Sequence, residues 1–200
     1  MKIFKMSSEN PDMDLISEAI DIMANGGIIL YPTDTVWGIG CDACNSEAVA
    51  RVYAIKRRSD SKSLVLLASD MDMICRYVKE VPEMAVQLVE VNDKPMTIIY
   101  PGADAGLLAP NTIAEDGTVG IRVPMMEFCS RLVSRLGRPL VSTSANISGE
   151  PSPENFKAIS QEIKNSVDHI VDPVYDREST GKPSSIIKVG LDYSIEIIRK

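Results

Sequence analysis

Ile28-Ile29-Leu30-Tyr31-Pro32-Thr33-Asp34-Thr35 changes character halfway along. Four apolar residues closed by a proline read as a short strand buried on both faces. Two hydroxyls and a carboxylate follow at once, at the carboxyl end of that strand, where open α/β sheets hold their ligands. A turn that uses Pro, Thr and Asp for local backbone bonds has the same composition, so both readings stand on this stretch alone.

Working outward, Leu15, Ile16, Ala19, Ile20 and Met23 recur at helical spacing before Asn25-Gly26-Gly27, which supplies a stop. Asn45 or Ser46 caps a helix with Ala48, Val49, Val52 and Ile55 on its apolar side. Leu64 to Ala68 reads as a second apolar strand, Pro82 opens a helix to Val91, and Met96 to Tyr100 is a strand closed by Pro101-Gly102. Thr118 to Val123 is a strand and Met125 to Leu136 a helix stopped at Gly137. Leu140 to Ser142 is a short strand that delivers the Thr143-Ser144-Ala145-Asn146 loop. Glu154 to Ile163 reads as helical, while His169 to Val171, Ser185 to Val189 and Ile195 to Ile198 read as extended. Helices alternate with apolar strands and strands crowd the last third. That is the pattern of a single α/β domain over residues 1–200, with a mixed, largely covered sheet.

Of 200 residues, 44% are hydrophobic and 24% charged, values of a globular chain rather than a disordered one. With 28 acids against 21 bases the formal charge is -7, which excludes a protein that holds nucleic acid by blanketing its phosphates. No apolar run approaches the roughly 18–20 residues that span a bilayer. The start, Met1 to Ser7, turns polar too soon for a secretory signal, and four cysteines without one fit reduced thiols. A cytoplasmic protein with no membrane partner is expected. Cys41 and Cys44 form a C-x-x-C, but Cys75, Cys129 and the sole histidine, His169, lie far away in sequence, which favours small buried thiols over a redox or zinc pair.

Two further polar clusters carry chemistry. Lys56-Arg57-Arg58, with Lys62 beyond, is the densest positive patch of an acidic chain. Cations at a helix C-terminus satisfy the macrodipole, yet three adjacent bases exceed that need and suit a phosphate, Arg through bidentate contacts and Lys as a point charge. Ser142-Thr143-Ser144-Ala145-Asn146-Ile147-Ser148-Gly149 offers neutral donors and acceptors for an α-amino acid, a ribose or a phosphate. A serine nucleophile would need a base. His169, in a polar stretch between Asp168 and Asp172, reads as exposed, and a G-x-S-x-G elbow is absent, so hydrolase chemistry is disfavoured. No Walker-A, G-x-G-x-x-G or EF-hand string occurs.

Together these clusters resemble the YrdC/Sua5 family of threonylcarbamoyl-AMP synthases. Gly26 to Gly40 is similar to the family's G-G-x-x-x-x-P-T-[DE]-T-x-Y-G-L-G, with Trp37 for tyrosine and Ile39 for leucine. Lys56-Arg57-Arg58 matches K-x-R, Ser144-Ala145-Asn146 matches S-x-N, and Thr118 to Pro124 resembles T-[VL]-[AG]-[VI]-R-x-P. Pro183 to Ile187 and Ile197-Ile198-Arg199 echo the final two strands. The motifs run in the family's order over nearly the whole chain. Two departures stand out: Ser59-Asp60-Ser61-Lys62 where the family carries proline after K-x-R, and Asp93-Lys94-Pro95-Met96-Thr97 in place of P-G-P-x-T. The chain resembles the short, single-domain form rather than the longer Sua5 form.

The resemblance implies a twisted open sheet around a concave, positively lined cavity. It implies that L-threonine takes up CO2 or bicarbonate as a carbamate, which attacks the α-phosphorus of ATP and releases pyrophosphate. The threonylcarbamoyl-AMP then passes to a t6A transferase complex that modifies adenosine 37 of tRNA. Such transfer needs positioning and charge neutralisation more than a protein nucleophile. Lys56 and Arg58 are expected to clamp the triphosphate and stabilise the leaving pyrophosphate. By similarity Thr33, Arg122, Ser144 and Ser184 would hold threonine, and Ser61, Thr118, Asn146 and Arg199 would contact ATP. Mg2+ would accompany ATP on phosphate oxygens and water, without a dedicated protein metal site. Two rival readings are a double-stranded-RNA-binding module, for which the -7 charge leaves only a weak RNA contact, and a YciO-type paralogue, which is expected to lack the S-x-N.

Overall fold

Asn45 starts a helix by accepting the backbone N–H groups of Glu47 and Ala48 on its side-chain oxygen, each at 3.1 Å. That helix, Ser46–Lys56, ends where Arg57 adopts φ of 49°, left-handed for a non-glycine residue. The computed structural model describes residues 11–58, 64–174 and 179–200. In chain order the elements are α1 (Pro11–Ala24), β1 (Ile29–Tyr31), β2 (Gly38–Gly40), α2 (Ser46–Lys56), β3 (Val65–Leu67), α3 (Met71–Tyr77), α4 (Glu83–Val91) and β4 (Met96–Tyr100). They continue with β5 (Val119–Arg122), α5 (Glu127–Leu136), β6 (Leu140–Ser144), α6 (Gln161–Ser166), β7 (His169–Ile170), β8 (Ser185–Val189) and β9 (Ile195–Arg199).

The strands form one twisted, mixed sheet in the order β7-β1-β2-β6-β3-β5-β4-β8-β9. The pairs β1–β7, β3–β5 and β4–β8 are parallel and the rest antiparallel. β1 is wholly buried and β3 nearly so, as their continuous apolar runs predict. Trp37, Tyr31 and Tyr100 are the largest fully buried side chains, and Trp37 tilts against Phe156 with ring centroids 5.0 Å apart.

Five features depart from the sequence reading. β2 had no strand signal, because Gly-Ile-Gly lacks β-propensity. Its glycines answer to space instead: a Cβ at Gly40 would sit 2.7 Å from the Val141 carbonyl oxygen and 2.8 Å from the Tyr31 ring. β6 runs on through Thr143 and Ser144, which pair with Ile39 and Gly38 rather than forming a loop. The 154–163 helix is broken in two. Phe156–Ala158 is a 3-10 turn with Asn155 as its cap, and Ser160 starts α6 afresh by accepting from the Ile163 N–H at 3.3 Å. His169 is buried, not exposed, because β7 pairs beside β1, and its Nδ1 lies 3.6 Å from Glu18. Burial lowers its pKa, with Glu18 opposing. α3, too short for periodicity to reveal, is anchored by Asp70 accepting the Met73 N–H at 2.7 Å and buries Met73, Ile74 and Tyr77.

Candidate active site

The left-handed turn at Arg57 decides where the basic triplet points. Arg57 swings out to an exposed ion pair with Glu162 at 2.5 Å. Lys56 and Arg58, on either side of it, both line a hollow of about 350 Å³ with Ser144, Asn146 and Ser148. Arg58, Thr143 and Ser144 also line a second cavity of about 240 Å³, so the two share a wall. Into that cavity converge Arg122 from the end of β5, Arg199 from β9, Ser184 from the approach to β8, and Thr35 and Val36 from beyond β1. Three guanidinium groups thus face one concavity of a protein with a formal charge of -7. Clefts of one sign concentrate oppositely charged ligands, so anions are the ligands this cavity favours. Burial lowers the pKa of Arg58 and Arg199, and guanidinium groups stay protonated in proteins.

Arg122 is almost fully buried, ion-paired to Asp34, and within 3.4 Å of the Thr35 hydroxyl. Asp34 accepts the Met125 N–H at 2.9 Å on its other oxygen, so the carboxylate fixes the guanidinium against the loop after β5. Sequence reasoning placed Asp34 in the motif without giving it this partner. It also chose Thr33, whereas the structure commits Thr33 to folding the turn. Thr33 is 1% exposed, and its hydroxyl donates to the Val36 carbonyl at 2.6 Å and accepts the Thr35 N–H at 3.1 Å. Thr35 is the hydroxyl of this motif that lines the cavity. Alternation along the chain does not separate the two threonines, since residues two apart share a side.

Ser184 shares a 2.8 Å hydrogen bond with Thr97 and holds Arg199, whose Nε donates to the Ser184 carbonyl at 2.8 Å. The two residues assigned by resemblance to different substrates therefore form one unit. A strap that no motif disclosed carries them. Ser179 donates to the Thr35 carbonyl at 2.5 Å, and the Thr180 N–H donates to that of Asp34 at 3.1 Å, tying the chain ahead of Ser184 to the motif after β1.

Lys56 is 2% exposed. Its ammonium donates to the carbonyls of Ser144 and Asn146 at 2.5 and 2.6 Å, with Ser144 Oγ and Asn146 Oδ1 each at 3.3 Å. Burial pushes its pKa down to about 8, with Arg58 acting the same way, so it stays mostly charged at neutral pH. Asn146 is tied in turn, donating to the carbonyls of Ile147 and Glu150. Thr118 is not among the residues that line these two hollows. It donates to Asp116 at 2.6 Å, four residues and about 13 Å of strand from Arg122. Ser61 and Lys62 lie outside the described residues. Burial also raises the thiols, Cys44 to about 11 and Cys41 further, which opposes thiolate chemistry.

Known proteins resemble this chain in sequence and in fold. Threonylcarbamoyl-AMP synthase of Coxiella burnetii (strain RSA 493 / Nine Mile phase I) is 32% identical over 159 residues, 78% of this chain and 84% of that one. The crystal structure of P. abyssi Sua5 complexed with L-threonine superposes with a TM-score of 0.83 at 25% identity, covering 94% of this chain and 54% of that one, so this chain spans about half its length. The E. coli YciO crystal structure gives a TM-score of 0.80 at 25% identity, covering 98% of this chain and 94% of that one. Residues 21–200 match a family model described as telomere recombination. The chain belongs to the Sua5/YciO/YrdC family.

Proposed function

We propose that this chain is an L-threonylcarbamoyladenylate synthase, an enzyme of the nucleotidyltransferase class, whose substrates are ATP, L-threonine and bicarbonate or CO2 and whose product serves tRNA t6A modification. The observation that carries the reading is the convergence of Arg58, Arg122 and Arg199 on one cavity walled by neutral hydroxyls. Its two anionic demands, an amino-acid carboxylate and a polyphosphate, suit this lining. Relatives that bear the synthase name support it, and neither the RNA-binding module nor the YciO-type reading is favoured.

In this reading Arg122, oriented by Asp34, takes the carboxylate of L-threonine through its planar fork, with Thr35, Ser144 and Ser184 near its polar groups. Arg58 and Arg199 face the triphosphate. The threonine nitrogen attacks CO2 and sheds a proton to become a carbamate. A carbamate oxygen then attacks the α-phosphorus in line, and the bond to the bridging oxygen breaks, with its electron pair leaving on pyrophosphate. Charge on that leaving group is what the guanidinium groups stabilise. The lining of both hollows holds no carboxylate among the described residues, so Mg2+ would arrive on the phosphates of ATP and its own water. The labile mixed anhydride must pass to a transferase, the t6A complex in this reading. Among the described residues, no helix is long and apolar enough to cross a membrane.

Pyrophosphate release from ATP should require both L-threonine and bicarbonate, read in a coupled assay with each omitted in turn. Release that ignores threonine contradicts the proposal.

A further inference from the structure

Lys56 ends α2 at the wall of the larger hollow, and its ammonium is bonded to the chain there. An ammonium has three protons. Two go to the carbonyls of Ser144 and Asn146 at 2.5 and 2.6 Å, and the third lies between Ser144 Oγ and Asn146 Oδ1, each 3.3 Å away. The backbone repeats the connection, because the Ser148 N–H donates to the Lys56 carbonyl at 2.9 Å. Segment 144–148 is therefore fastened to the end of α2 at three backbone points. It supplies Ser144, Asn146 and Ser148 to the walls of the hollows.

We infer that Lys56 is a positioning residue: it shapes the Ser144–Ser148 segment through a carbonyl cage and leaves the phosphate contact to Arg58. Two backbone carbonyls that converge on one buried point repel each other and need a cation between them. A neutral side chain there would leave them buried without donors. Lys56 thus acts on the substrates through the residues it holds, and its charge reaches the phosphates as a background field. The inference depends on the synthase reading only where turnover is measured. The fastening itself is a property of the ligand-free chain.

Lys56→Met keeps the volume and removes the charge. In the ligand-free variant, amide hydrogens of 145–150 should exchange at least about 10-fold faster, while those of α1 and β4 keep their rates. Turnover should fall about 10- to 100-fold, in kcat more than in KM for ATP. Lys56→Ala opens room for a small cation, and methylammonium should restore both protection and turnover, leaving the wild type unaffected. Unchanged exchange in ligand-free Lys56→Met, with the loss confined to KM for ATP, overturns the inference in favour of direct phosphate contact. Should the variants not fold, nitrogen-15 spectra of the wild-type lysine decide. Slowly exchanging Nζ protons, unmoved by pyrophosphate, support the cage, and protons protected only when pyrophosphate is added contradict it. Failure of the synthase reading would show separately, as wild-type protein without threonine-dependent turnover but with the cage intact.

Discussion

Arg58→Ala should lose about 100- to 1,000-fold in pyrophosphate release, the range seen when a preorganised donor is removed from developing negative charge. Arg58 lines both hollows, and it follows Arg57, whose left-handed backbone turns its own side chain away to Glu162. In the synthase reading, a half-buried guanidinium at that junction would meet the triphosphate whichever hollow holds which end. The loss should fall on kcat as well as on KM for ATP, because charge on the leaving pyrophosphate is greatest in the transition state. Folding should be nearly untouched, since the side chain is not part of the buried core. Initial rates over a range of ATP, with a thermal melt of the same sample, check both halves. An unchanged kcat would show that Arg58 stands beside the reaction rather than in it.

Arg122→Ala should destabilise the fold by about 3–5 kcal/mol, the cost of leaving one member of a buried ion pair without its partner. For a chain of this size that is a fall in Tm of roughly 10 °C. Side-chain exposures of 4% and 7% for Arg122 and Asp34 show how little water reaches the intact pair. Asp34→Asn should also destabilise and should raise KM for L-threonine more than KM for ATP, because it disorients Arg122 without removing it. The double variant Arg122→Ala, Asp34→Ala should be more stable than Arg122→Ala alone, since no uncompensated carboxylate remains. Chemical denaturation of the three proteins measures this directly. Strictly additive losses would contradict a coupled pair.

Much of the framework was legible because it is local. α2 declares itself through Asn45 and the period of its apolar side, and β4 through five residues bounded by Pro101. What escaped was set by partners distant in sequence. Ile28 gives its N–H to Asp168, 140 residues on, and no periodicity announces that β7 will bury His169 beside β1. β2 is invisible because its glycines are chosen for what they leave out. At the site, the cavity gathers Arg58, Arg122, Ser144, Ser184 and Arg199 from five of the motifs. Residue-level roles were harder. Thr33 and Thr35 are chemically alike, and only the fold shows that one closes the turn while the other reaches the cavity. Lys56 looks in sequence like any phosphate lysine, and the carbonyls that absorb its protons come from residues about 90 positions later.

Mass spectrometry of the nucleotide product tests the central claim most directly. The protein is incubated with Mg-ATP, L-threonine and carbon-13 bicarbonate, and the quenched mixture is searched for an adenylate of threonine. The account predicts a threonylcarbamoyl adenylate that carries the bicarbonate carbon and forms in step with pyrophosphate. An unlabelled threonyl adenylate, or pyrophosphate with no adenylate at all, would contradict it.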